Sequence, residues 1–415
     1  MLDLVVRRAR IQGSGRRATD IGVVDGRIVS LADDLPAGQH EIDAAGRLVV
    51  PGFVDSHLHL DKSHTLDRCT LTEGTLSEAI RETARIKTRF SESDIYQRAS
   101  RTLDDCILQG TTRVRSQVEV DTTVELRGYD AIAQLAADYA TAVDVQICVF
   151  AQEGLTNSPS GVALLTRALE RGAHLVGGAP YADPDPIGQL DLVFALARRF
   201  DVDVDLHLDL AETVDGMLLA EVCQRTVAQG WQGRVTVGHV TQLSLVHPDR
   251  YEQLCSLVAD AGVAMTVLPA TDLFLMGRAA PVAKPRGVVH LAPLMSRGAA
   301  CSIATNNVVN AFTPYGDCSL VRMANLYANI THAVGQAELE ECLDLVTSAA
   351  ARVMGADDYG IRLGSPADLV CLDAHSEADA IARIVPALWG LKGGRPTFTR
   401  ARPLLCTAMA TTKAS

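Results

Sequence analysis

A chain of 415 residues exceeds the ~250–300 at which one hydrophobic core usually stops growing, so one large domain with a smaller companion is expected. Hydrophobic residues are 47% and charged residues 21%, which excludes a disordered or fibrous chain. The net charge of -12, with no basic cluster, argues against a nucleic-acid partner, and no apolar run reaches membrane length.

Residues 1 to about 50 read as short strands joined by tight turns. Leu2 to Val6 is one strand, and Met1–Arg8 lacks the pattern of a signal peptide. A hairpin turns at Asp25-Gly26, and Ala44 to Val50 reads as another hairpin arm. This sheet is too thin to stand alone. Its partner is expected at the other terminus, where Gly364 to Asp373 reads as a strand and Gly390 to Gly394 as a turn region.

Between the termini the rhythm changes to alternating strands and helices. Helical patterns cover 76–88, 92–109, 126–141, 160–171, 187–200, 217–229, 251–261, 321–330 and 339–353. Strand patterns cover 112–120, 143–150, 175–178, 202–208, 234–237, 264–268 and 300–304, with 53–59 leading them. Such alternation predicts a (β/α)₈ barrel over 51–360, flanked by a β-rich subdomain built from 1–50 and 361–415. A doubly wound open sheet is the alternative. Arg278 to Arg286, rich in Ala and Pro, reads as a surface lid.

The polar residues at strand ends carry the chemistry. His57 and His59 share one face of a strand, so both imidazoles can grip one divalent ion. Gln152, His207, His239, Asp272 and Asn306 follow later strands, which places them at the same mouth of a barrel. Gln152 offers a donor and an acceptor to a ring amide, with a structural hydrogen bond as its plainer role. Lys62 either pairs with Asp61 or reaches a substrate oxygen. Phe312 and Tyr315 offer an apolar wall for a small ring, and His64 reads as a neighbour of the site or part of its lid. Ten singly placed cysteines, without a Cys-x-x-Cys pair, read as reduced core thiols of a cytoplasmic protein.

Pro51-Gly-Phe-Val-Asp-Ser-His57-Leu-His59 resembles the opening metal motif of the amidohydrolase superfamily. The likeness is closer to its cytosine deaminase branch than to the triazine-ring amidohydrolases. Phe150-Ala-Gln-Glu-Gly-Leu, Asp205-Leu-His207-Leu-Asp, Arg234-Val-Thr-Val-Gly-His239, Thr305-Asn-Asn-Val-Val-Asn and Gly360 to Val370 resemble later segments of that family. The resemblance implies one divalent metal ion, zinc or iron, on His57, His59 and His207, with the aspartate position falling on Asn306. It gives His239 the orientation of a metal-bound water, and Gln152 a substrate contact. Two positions depart from the pattern. Asn306 is neutral, and Leu210 stands where deaminases keep a proton-shuttling glutamate. Glu212, of the same strand parity if the strand continues, is a substitute shuttle. His239, Asp272 and Asp61 are the other proton acceptors on offer.

The expected activity is hydrolysis of a C–N bond (amide, lactam or N-substituent) in a small, nitrogen-containing, heterocyclic compound by a metal-activated water. An aminopyrimidine deaminase and a catalytically degenerate ligand-binding barrel are the alternatives. The expected partner is a small-molecule substrate, with a homo-oligomer left open.

Overall fold

Valine- and leucine-rich runs bounded by Gly, Pro or Asp become strands, and they sort into two sheets. The computed structural model describes residues 1–15 and 17–403. The chain begins with β1 (Leu4–Ile11), β2 (Ala18–Val24), β3 (Arg27–Ala32), β4 (His40–Asp43) and β5 (Leu48–Pro51). Eight strands follow: β6 (Phe53–Leu58), β7 (Thr111–Glu119), β8 (Asp144–Phe150), β9 (Leu175–Gly178), β10 (Asp203–Leu208), β11 (Val235–His239), β12 (Val263–Val267) and β13 (Cys301–Ile303). These eight pair in chain order and all in parallel. The last strands, β14 (Leu369–Leu372), β15 (Ala387–Lys392) and β16 (Arg395–Thr399), return to the first sheet, where β14 runs antiparallel to β5. Residues 404–415 of the expected C-terminal part lie outside the described residues.

The parallel set is the expected barrel. Its ends meet where His59 N–H donates to Asn306 O and Asn306 N–H to His57 O, both at 2.8 Å. Strands buried on both faces need no alternation, and β6, β11 and β12 are buried at every position. Helices cover the outside. Glu92–Leu108 turns Ile95, Ala99, Leu103 and Cys106 inward at helical spacing. Ser91 and Thr75 cap their helices through hydroxyl oxygens, and Pro159 and Pro186 open theirs behind Ser158 and Asp185.

Three readings of the sequence are corrected. The helical pattern over 339–353 is two helices, Gln336–Asp344 and Ser348–Val353. The break exists because Leu345 and Val346 turn their carbonyls to Ile303 N–H and Val54 N–H of β13 and β6. Residues 44–50 are not a hairpin arm. β4 and β5 both run parallel to β1 and are interrupted by a bend at Ala45-Gly46, both at positive φ. The strand that carries His207, β10, stops at Leu208, so Glu212 has no strand parity with Leu210. The Asp25-Gly26 hairpin forms as read, both residues at positive φ.

Candidate active site

At the C-terminal rim of the barrel, residues from four strand ends converge. His57 lies on β6 and His59 just beyond it, His207 on β10, His239 at the end of β11 and Asn306 past β13. His59 Nε2 is 3.0 Å from His207 Nε2, and His57 Nε2 is 3.2 Å from the same atom. A tetrahedral zinc ion with Zn–N of ~2.05 Å separates its ligand nitrogens by about 3.3 Å, so this spacing fits one ion. Asn306, at the seam, has both side-chain amide atoms buried without a partner among the described residues. A buried amide oxygen left open beside three converging lone pairs suits a fourth ligand.

The local chemistry keeps these imidazoles neutral, as a metal requires. Burial pushes the His57 pKa down, against the raising effect of the nearby Asp205 carboxylate. Burial pushes His59 and His207 well down, with the Lys62 ammonium adding for His59 and His57 adding for His207. The Asp205 carboxylate is 3.7 Å from His57 Nδ1 and receives Arg115 at 2.9 Å, so the barrel interior buttresses the ring. Gly238 is required there. A Cβ at this position would press on His57 Cε1 at 3.1 Å. Phe150 stacks on His207, with ring centroids 4.5 Å apart.

His239 accompanies the trio. Its Nδ1 is 2.6 Å from Asp272 Oδ1. A carboxylate can only accept, so Nδ1 donates to it, and in the neutral ring the lone pair is then on Nε2. Asp272 sits in the first turn of helix Pro269–Leu275, and its other oxygen accepts Leu268 N–H. The backbone is strained at this rim. His239 and Asn306 have φ of 71° and 64°, each a cost of about 1–3 kcal/mol that the surrounding barrel must sustain.

His59, Lys62, Gln152, Tyr181, His207, Leu210, His239, Thr271, Leu275, Asn306, Asn307 and Phe312 enclose one pocket. Open space among them is about 10 Å³, room for a single water, so binding a ring requires Lys62, Leu275 or Phe312 to move aside. Lys62 is buried, 3.3 Å from Glu119 Oε1 and 3.4 Å from Gln152 Oε1, with its ammonium over the faces of Phe150 and Phe312. Gln152 in turn donates to Tyr181 Oη at 3.2 Å. A much wider cleft, about 1020 Å³, opens elsewhere, against the starts of β7 and β8. Arg113, Asp144, Asp358, Asp368 and Lys392 there form a chain of ion pairs in which Lys392–Asp144 joins the two sheets, a joint rather than a reactive site.

Other residues singled out from sequence fall outside this pocket. Asp272 stands outside the pocket wall, bonded to His239. Glu212 spends both carboxylate oxygens on the N–H groups of Arg278 and Ala279, tying down the expected lid segment, whose Val282 is 76% exposed. Asp61 accepts Glu119 N–H, and Lys62 pairs with Glu119 instead of Asp61. His64 packs away from the pocket with Nε2 buried, and Tyr315 is exposed against Phe274. The sequence reading passed over Tyr181, Thr271, Leu275 and Glu119. Tyr181 and Glu119 sit at the ends of β9 and β7, so asking what closes every barrel strand would have found them.

Known proteins match this chain over nearly its whole length. The Amidohydrolase family pattern covers residues 40–144 and 70–398. The chain belongs to the amidohydrolase family. This amidohydrolase is 29% identical over 402 residues to N-isopropylammelide isopropyl amidohydrolase of Pseudomonas sp. (strain ADP), covering 95% of this chain and 96% of that one. It is 27% identical over 377 residues to a pterin deaminase of Rhizobium rhizogenes, covering 89% and 85%. Its fold superposes on 5-methylcytosine deaminase from Klebsiella pneumoniae, liganded with 5-fluorocytosine, with a TM-score of 0.92, 29% identity and coverage of 97% and 98%. It is therefore a metal-dependent hydrolase of non-peptide C–N bonds. Among the described residues, no helix is long and apolar enough to cross a membrane.

Proposed function

We propose that this amidohydrolase hydrolyses a C–N bond of a small nitrogen heterocycle and releases an amine or ammonia, in a site built for one zinc or iron ion. The observation that carries the reading is the convergence of three neutral imidazole Nε2 atoms beside the unpaired amide of Asn306. In this reading His57, His59 and His207 hold the ion and Asn306 completes the set through Oδ1. A bound ion of this type lowers the pKa of its water to about 7 and supplies the nucleophile.

The remaining work falls to the chain's own side chains. His239 Nε2 accepts a proton and returns it to the leaving nitrogen, while Asp272 fixes the tautomer and steadies the imidazolium. Lys62 and Gln152 present donors to a ring oxygen or nitrogen, and Phe312 lies against the ring face. Leu210 cannot move a proton, and Glu212 is committed to the backbone at 278 and 279, so neither is given the shuttle. The named relatives act on N-isopropylammelide, pterin and 5-methylcytosine, and these ring compounds support the substrate class. Buried free thiols suit a reducing, cytoplasmic setting.

The test combines metal analysis with turnover of N-isopropylammelide, pterin and 5-methylcytosine. We expect about one equivalent of metal, lost in His57→Ala, and hydrolysis of a ring compound that stops on chelation. Full metal loading with no turnover of any of the three would overturn the catalytic reading in favour of a ligand-binding barrel.

A further inference from the structure

Behind the pocket lies a second cluster of buried charge that the mechanism above does not use. Lys87, the last residue of helix Leu76–Lys87, is 1% exposed in its side chain. Its ammonium meets Glu153 at 2.6 Å, Asp121 in a short contact and Glu119 at 3.7 Å. Three carboxylates outweigh the lowering effect of burial, so its pKa is raised and it stays charged. Glu119 also faces the other way, with Oε1 3.3 Å from Lys62 Nζ at the pocket wall. One carboxylate at the end of β7 thus serves two buried ammonium groups. The row Lys62–Glu119–Lys87–Glu153 runs outward to Glu153, 37% exposed in its side chain.

The two ends of this row are held unequally. Charge-assisted N–H···O bonds normally span ~2.7–2.9 Å. Lys87 meets that standard through Glu153 and Asp121. Lys62 does not: its contacts with Glu119 and Gln152, at 3.3 and 3.4 Å, are both long. Its three N–H donors therefore have two stretched acceptors. A buried ammonium so loosely satisfied is disposed to take another acceptor. Lys87 stands 3.7 Å from the other oxygen of Glu119, so two ammonium groups share the charge of that one carboxylate.

We propose that Lys87 and Glu119 are positioning residues that act through Lys62, keeping its ammonium at the pocket and undersatisfied until an anionic or carbonyl oxygen of the substrate completes it. The proposal rests on the substrate role given to Lys62 above. It makes the substrate an oxygen-bearing ring, a lactam or its anion, rather than a purely amino-substituted one.

A double-mutant cycle tests it. On the substrate with the highest turnover, Lys87→Met should lower kcat/KM about tenfold, the scale of one charge-assisted contact, with metal content unchanged and Lys87→Arg retaining most of the activity. In a Lys62→Met background the same change should cost nothing further. Equal losses in both backgrounds would mean that Lys87 only supports the fold, and would overturn the proposal. If Lys87→Met does not fold, Glu119→Gln keeps the shape and removes the charge, and the same cycle is read with it. A crystal structure of Lys87→Met decides independently of turnover. The released Glu119 should close on Lys62 to about 2.8 Å, and an unmoved contact would sink the idea even if the reading of a hydrolase stands.

Discussion

Asn306 sits where the first and last barrel strands meet, and its main chain bonds two ligand-bearing residues while its side chain faces the pocket. An amide oxygen carries no net charge, so in the proposed ligand set no protein carboxylate would balance the ion. Asn306→Asp should slow metal loss to a chelator by about tenfold, since it adds an anionic ligand of the same shape. The same rate in both proteins would remove Asn306 from the ligand set. Asp272→Asn should lower kcat by about 100-fold or more, because the amide can hold His239 in the wrong tautomer. Metal uptake should barely change between pH 7.5 and 6.5, measured by competition titration. The buried imidazoles have lowered pKa values, so protons compete only once pH falls well below the usual histidine range. At this scale the His57–His59 pair was legible because its spacing is local, and His207 and Asn306 were reached through the family resemblance. Glu119 and Lys87 were not, because nothing near them in sequence announces that a strand end and a helix end meet around one carboxylate.

Among the elements, the segment before helix Leu76–Lys87 is held by one side chain. Glu78 accepts N–H groups from Thr72, Glu73 and Gly74 together with the Thr72 hydroxyl. The Thr72 N–H bond, against the opposing effect of burial, leads in bringing its pKa down to about 2. The folded value lies below the unfolded ~4.5, so the stabilisation is present above that pH and is lost as pH falls toward 2. Hydrogen exchange of residues 72–74, taken relative to the intrinsic rate at each pH, should therefore quicken on acidification through this window. Glu78→Gln should quicken it at neutral pH too, and unchanged exchange would show the loop is held otherwise. The helix positions followed from apolar spacing within a few residues. The break at Leu345–Thr347 did not, because an unbroken amphipathic run says nothing about two barrel strands needing its carbonyls.

For the molecule as a whole, the barrel and the smaller sheet are joined by charges at the starts of β7 and β8. Lys392 Nζ is 2.6 Å from Asp144 and 2.7 Å from Asp368, linking β15 to the barrel. Lys392→Met should destabilise the protein by about 1–3 kcal/mol, read as a lower thermal midpoint, because Asp368 is left buried without its cation. The alternation of strand and helix made the barrel readable from sequence, and the marriage of the two termini followed from each being too thin alone. The parallel pairing of β4 and β5 with β1 escaped that reading, because a short strand's partner is set by three-dimensional crossing.

The hydrogen bonds that shut the barrel lie at His57, His59 and Asn306 themselves, so ring closure and assembly of the proposed metal site would be one event. A nascent chain can present His57 and His59 early in synthesis, yet they wait for some 250 further residues to leave the ribosome. Tight capture of the ion thus becomes a cell's receipt for a finished barrel, and a chain stopped before residue 300 should leave the metal in solution.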